Sequence, residues 1–173
     1  MNEEAVQAPR RILIVEDDAS MRKQLSVIFS RYGNAIELHW AENAGEALSA
    51  IEAAGSHFDA LVLDLMMPYG SAREKLPGGD PLELDTGLHV LDYVRRAAPI
   101  GALPLWVAVI TARSGLAVAR RATELLAGSG TLYLKPFDTF RFEDDVMNAI
   151  GVRSLVPAEL LDDSITHVTE ERL

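Results

Sequence analysis

Apolar residues fall into short runs separated by stretches of helical period, and this alternation sets the expected architecture. Residues 60 to 68, ALVLDLMMP, form a run that delivers one acid, Asp64, and is stopped by Pro68. A short, partly β-branched run of this kind reads as a strand buried on both faces, as in a parallel sheet covered by helices. Residues 11 to 15, RILIV, form a second such run and lead into Glu16, Asp17 and Asp18. Behind it Met21, Leu25, Ile28, Phe29 and Tyr32 recur at helical spacing. Asp18 or Ser20 is placed to cap that helix and Gly33 to stop it.

The same logic carries through the chain. Residues 36 to 40 alternate, with Ile36, Leu38 and Trp40 against Glu37 and His39, as a strand nearer an edge would. Asn43 with Glu46 opens a second helix whose apolar face is Ala47, Leu48, Ile51 and Ala54, closed by Gly55. Leu88, Leu91 and Val94 mark a third helix ended by Pro99, and residues 105 to 111 a fourth strand. Residues 116 to 126 form a fourth helix stopped by Gly128 and Gly130. Residues 131 to 134 are a fifth strand running into Lys135, Pro136 and Phe137, and residues 140 to 150 a last helix. Five strands alternating with five helices predict an α/β fold, a doubly wound five-stranded parallel sheet with helices on both faces.

Three segments stand outside that alternation. Residues 1 to 10 read as a leader, and residues 69 to 86 as a long loop inserted in a single domain of residues 11 to 150. The loop is expected to be solvated and mobile rather than a dedicated binding element. Residues 151 to 173 form an acidic, weakly patterned tail whose one candidate helix is residues 158 to 165. Trp40 and Trp106 lie in strand-like runs and are expected in the core.

Composition narrows the function. A net charge of −10 over 173 residues argues against a nucleic-acid surface, because phosphate backbones are held by Lys and Arg. No apolar stretch approaches the roughly 20 residues of a membrane span, and the polar N-terminus is not a secretory signal. The absence of cysteine excludes disulfides, thiolate metal sites and a Cys nucleophile, so a cytoplasmic protein is expected. His39, His57, His89 and His167 are not spaced as metal pairs and read as structural or surface residues.

The polar residues that matter sit at predicted strand ends: Glu16 and Asp17, Asp64, Thr111, and Lys135. Ligands of open α/β sheets bind at the carboxyl ends of the strands, at the point where the winding reverses. Three carboxylates gathered there must hold a proton or recruit a cation, and oxygen-only ligands suit a hard ion, Mg²⁺ or Mn²⁺. A metal-bound carboxylate facing a Lys and a Thr hydroxyl is equipped for phosphoryl transfer, with Asp64 as nucleophile. Taken singly, the acids could be a solvated helix cap, Thr111 a strand residue and Lys135 a solvated strand end. Their joint occurrence carries the argument. The Lys135–Pro136 isomer stays open at this point.

ILIVEDDASMRK, LVLDLMMP, VITA and LKPF, in this order, resemble the motifs of response-regulator receiver domains, over residues 11 to 150. The resemblance implies a flavodoxin-like sheet of order 2-1-3-4-5. It implies Asp64 as phosphoacceptor, Glu16 and Asp17 as the acidic pair, and the Met66 backbone carbonyl as a third protein ligand of Mg²⁺. Thr111, with the small Ala112 beside it, and Lys135 complete the set. The expected protein is a stand-alone phosphoaspartate switch of a two-component or phosphorelay pathway. It would be phosphorylated by a sensor histidine kinase or phosphotransfer protein and act on a downstream protein target. The family usually signals through its fourth helix, fifth strand and fifth helix. Such a protein moves a phosphoryl group to and from its own Asp and does not turn over an external substrate.

Two other readings are carried beside it. One is a phosphorylation-independent binding module using the insertion and tail. The other is a metal phosphohydrolase, against which Met66 stands where haloacid-dehalogenase-like enzymes place a second acid. The chain also departs from the family twice. Residues 69 to 86 enlarge the loop after the acceptor strand, and Leu132 holds the place of the usual switch aromatic. Tyr133 is one place later, where alternation points it to the other face.

Overall fold

In the computed structural model, residues 8–53, 57–76, 84–97 and 106–161 are described. β1 (Arg10–Val15), β2 (Ile36–Ala41), β3 (Ala60–Asp64), β4 (Trp106–Thr111) and β5 (Gly130–Leu134) form one parallel sheet in the order β2-β1-β3-β4-β5. This is the flavodoxin-like order, and it places β1 beside β3 where the winding reverses. α1 (Ala19–Ser30) and α5 (Thr139–Ala149) cover one face; α2 (Ala44–Glu52), α3 (Thr86–Ala97) and α4 (Leu116–Leu126) cover the other.

Side-chain alternation along each strand divides the core in two. Ile12, Ile14, Val62, Ala108 and Ile110 face α1 and α5, whereas Leu13, Leu61, Leu63, Val107 and Val109 face α2, α3 and α4. β5 follows the same rule. Tyr133 is buried in the α1–α5 layer and Leu132 packs against the opposite one.

Helix starts are fixed by short polar side chains accepting from orphan main-chain donors. Asp18, not Ser20, caps α1, accepting from Met21 N at 2.7 Å. At α2, Asn43 accepts from Glu46 N at 3.0 Å while Glu46 accepts from Glu42 N at 2.8 Å, a capping box displaced by one residue. α1 ends at Ser30, a turn before Gly33.

Three expectations change. Trp40 is 37% exposed, because β2 is an edge strand; Trp106, at the start of β4, is only half-buried. The insertion is no free loop where it is described. A 3₁₀ turn over Gly70–Glu74 packs on α2, burying Tyr69, Ala72 and Leu76 in the core. Pro68 and Tyr69 carbonyls accept from Ala44 N and Gly45 N, both at 3.0 Å, and Lys75 pairs with Glu52 at 2.6 Å. A side chain at Gly45 would meet Ser71 Oγ at 2.3 Å, so this packing requires glycine. Residues 151 to 161 continue onto the α1–α5 layer. Val156 is buried, and Leu155 N donates to Tyr32 Oη at 3.1 Å. The Tyr32 hydroxyl in turn donates to buried Glu143, which Arg31 also engages.

A 3₁₀ turn at Ala158–Leu160 is the described part of the candidate tail helix. Most of the leader (residues 1–7), Gly55, loop residues 77–83, Pro99, Leu105 and residues 162–173, with His167 among them, lie outside the described residues.

α3 begins against the end of β3. Gly87 N donates to Leu65 O at 3.0 Å, and a Cβ there would lie 2.3 Å from Asp64 O and 2.8 Å from Leu65 Cα. Gly87→Ala is expected to lower the unfolding free energy by about 1–3 kcal/mol through overpacking, read from urea denaturation. Gly115→Ala, whose Cβ meets nothing within 4 Å, is the matched control. Equal midpoints for the two variants would refute the close approach.

Candidate functional site

The carboxyl ends of β1, β3 and β5 open on a cleft of about 680 Å³ lined by Glu16, Asp17, Asp64, Met66, Ala112 and Lys135, with the start of α1 along one side. Main-chain hydrogen bonds between neighbouring strand ends fix the relative heights of these residues. Glu16 N donates to Ala41 O at 3.0 Å, Leu65 N to Ile110 O at 3.2 Å and Lys135 N to Thr111 O at 2.8 Å. The Lys135–Pro136 bond is cis.

Lys135 joins the two buried acids, its Nζ lying 2.7 Å from Asp64 Oδ2 and 2.8 Å from Glu16 Oε2. The second oxygen of each acid is held by main chain. Met66 N donates to Asp64 Oδ1 at 2.9 Å and Asp18 N to Glu16 Oε1 at 3.2 Å. Glu16 is fully buried, and burial first, then Asp64, drives its carboxyl from the ordinary 4.5 up to about 7 against the pull of Lys135. Burial pulls Lys135 down, but its bonds to Asp64 and Glu16 outweigh this and hold it above its ordinary value. The ammonium therefore stays charged.

Glu16, Asp17 and Asp64 each present a carboxylate oxygen within 4.8 Å of the others. Asp17 opens to solvent, and Met66 borders the same cleft. Three hard anionic oxygens, with no His or Cys lining the cleft, fit Mg²⁺ or Mn²⁺. Of the five strand-end residues, Thr111 alone does not line the cleft. It is fully buried, and its Oγ1 accepts from Arg113 N at 3.0 Å.

Two arginines that the sequence reading did not single out shape the site. Arg22, one turn into α1, donates to Glu16 O at 3.0 Å and Asp17 O at 2.9 Å and pairs with Glu42 at 3.0 Å. Arg113 donates through its guanidinium to Leu84 O at 3.1 Å. Both act on carbonyls, and a side chain bound to main chain leaves no pattern in sequence.

A doubly wound sheet whose first and third strands end in an acidic trio, bridged by a lysine after the fifth, defines a receiver domain. Comparison with known proteins agrees. Over 129 residues the chain is 36% identical to the response regulator MprA of Mycobacterium sp. (strain KMS), covering 75% of this chain and 45% of that protein. The chain thus spans just under half the length of the curated relatives it matches. The CheY-like receiver domain protein of Methanospirillum hungatei JF-1 superposes with a TM-score of 0.60 at 19% identity, over 83% of this chain and 94% of that one. A signal receiver domain of two-component signal transduction (histidine kinase) from Clostridium thermocellum matches at TM-score 0.60 and 19% identity, over 83% and 98%. No family model matches. The core of the chain is a response-regulator receiver domain.

Burial of Glu16 predicts a pH signature. The folded state keeps a proton that the unfolded chain loses from about pH 4.5, so this contribution to stability fades as pH rises to about 7. With a chelator present, the melting temperature of wild type is expected to fall more between pH 5 and pH 8 than that of Glu16→Gln. Added Mg²⁺ should stabilise wild type more at the upper end, where no proton competes for the carboxylate. Parallel melting curves for the two proteins across this range would contradict the assignment.

Proposed function

We propose that the protein is a phosphoaspartate switch that accepts a phosphoryl group on Asp64 from a histidine kinase or phosphotransfer protein. The observation that carries this is the Lys135 ammonium set between Asp64 and Glu16 beside an open acidic cleft. The response-regulator relatives and the two-component receiver structure support the choice of donor.

Asp64 Oδ attacks phosphorus as the bond to the donor's imidazole nitrogen breaks, and the leaving nitrogen keeps the electron pair and takes up a proton. The Lys135 ammonium is bonded to Asp64 Oδ2 at 2.7 Å. Lys135 Nζ also lies where it can offset charge on the transferred group. A Mg²⁺ held by Glu16, Asp17, Asp64 and the Met66 carbonyl would supply further positive charge. Thr111, turned from its bond to Arg113 N, supplies a hydroxyl to a phosphoryl oxygen. The protein works in the cytoplasm by protein contacts and turns over no external substrate. Among the described residues no helix is long and apolar enough to cross a membrane.

Incubation with Mg²⁺ and acetyl phosphate is expected to add one phosphoryl group to wild type and none to Asp64→Asn, read by intact-protein mass spectrometry. An equal adduct on both proteins would place the acceptor elsewhere, and none on wild type would end the proposal.

A further inference from the structure

Arg113 makes two contacts of different kinds at once. Its main-chain N–H holds the Thr111 hydroxyl at 3.0 Å, and its guanidinium holds the Leu84 carbonyl at 3.1 Å. Leu84 lies just before α3, at the far end of the insertion. From there the chain runs through Asp85 and Thr86 to Gly87, which is pressed against the main chain of Asp64 and Leu65. The residues 84 to 87 are thus attached on one side to the acceptor strand and on the other, through a single side chain, to the residue that holds Thr111.

This turn also contains unmet hydrogen-bonding capacity. Thr86 is fully buried, yet its Oγ1 finds no hydrogen-bond partner among the described residues, and the buried Asp85 Oδ1, with His89 Nε2 at 3.8 Å, finds none either. An unsatisfied buried polar atom costs free energy, so a turn holding two of them is not at its best-bonded arrangement. The opposite end of the insertion is clamped on α2 by Gly45, by the carbonyls of Pro68 and Tyr69, and by Lys75 with Glu52.

We propose that Arg113 is a positioning residue that couples Thr111 to the turn at residues 84 to 87, so that phosphorylation of Asp64 is transmitted to the start of α3. A phosphoryl group on Asp64 draws the Thr111 hydroxyl away from Arg113 N. The loop after β4 then shifts with Arg113, the Leu84 carbonyl loses or changes its donor, and the turn rearranges. The coupling rests on the phosphoacceptor reading above and adds to it a route by which the enlarged loop senses the site.

Arg113→Ala tests it, because this variant keeps the main-chain N–H to Thr111 and removes only the side-chain link to Leu84. The reporters are the amides of Gly87, Leu88 and His89, bonded to Leu65 O and Asp85 O. Their hydrogen exchange is followed by NMR in the full chain, with Mg²⁺ and with or without beryllofluoride. In wild type the mimic is expected to change exchange at these amides by about fivefold, the worth of one hydrogen bond. In Arg113→Ala exchange should already be faster before the mimic is added, and the mimic-induced change should vanish. Arg113→Lys, which restores a donor, should recover part of it. Amides of α1 serve as the internal control against general loosening. If wild type binds beryllofluoride and Arg113→Ala shows the same change at these amides, the coupling is wrong while the phosphoacceptor reading stands. If wild type binds none, both fall together.

Discussion

The ammonium of Lys135 between Glu16 and Asp64 is the interaction on which the rest of the structure depends. A parallel sheet with β1 beside β3 brings two acids to one crevice, and Asp17 adds a third within 4.8 Å of both. Two unit charges 4 Å apart repel by roughly 4 kcal/mol at an effective dielectric constant of about 20. A fold of marginal stability cannot leave that uncompensated. Lys135 offsets part of it, and the proton that burial favours on Glu16 offsets more. The site is held in a state that a bound cation would relieve. Stability is given up at the place where chemistry needs it.

Around that side-chain cluster the strand ends and loops are positioned by bonds to main chain. Strand ends are tied to one another by Glu16 N, Leu65 N and Lys135 N, and Arg22 ties the loop after β1 to α1 through two carbonyls. Gly87 lets α3 start in contact with the last residue of β3, where any side chain would strike the Asp64 carbonyl. The insertion respects these constraints. It leaves the strand, folds at once onto α2, and returns to the start of α3 beside Arg113.

Most of this architecture was legible in the chain because it rests on periodicity. Strands buried on both faces appear as unbroken apolar runs, and helices announce themselves through Asp18, Asn43 and their spaced apolar faces. The strand-end residues were legible for the same reason, since a polar residue closing a buried run has few structural uses. What escaped were contacts without a period. The packing of Tyr69, Ala72 and Leu76 could not be read from a stretch rich in Gly, Pro and charge. The exposure of Trp40 depends on where the sheet ends. The docking of residues 151 to 161 depends on Tyr32 and Glu143, far apart in sequence. Thr111 was placed correctly at its strand end, but its hydroxyl partner is a main-chain N–H, which every residue but proline offers.

The arrangement of β5 sets which layer each of its side chains can reach. Tyr133 faces α1 and α5, packs edge-on against Phe142 at 5.1 Å between ring centres, and donates its hydroxyl to Asp145 at 2.7 Å. A ring fixed on three sides in that layer lies across the sheet from α2, α3 and α4. Leu132, which does face that side, has no polar end with which to follow a hydroxyl. In the loop after β4 a different side chain makes the outward contact. Arg113 is bonded to Thr111 through its main chain and to Leu84, just before α3, through its side chain. Through that second bond it meets the residues that lead into α3, where the segment after β3 rejoins the fold.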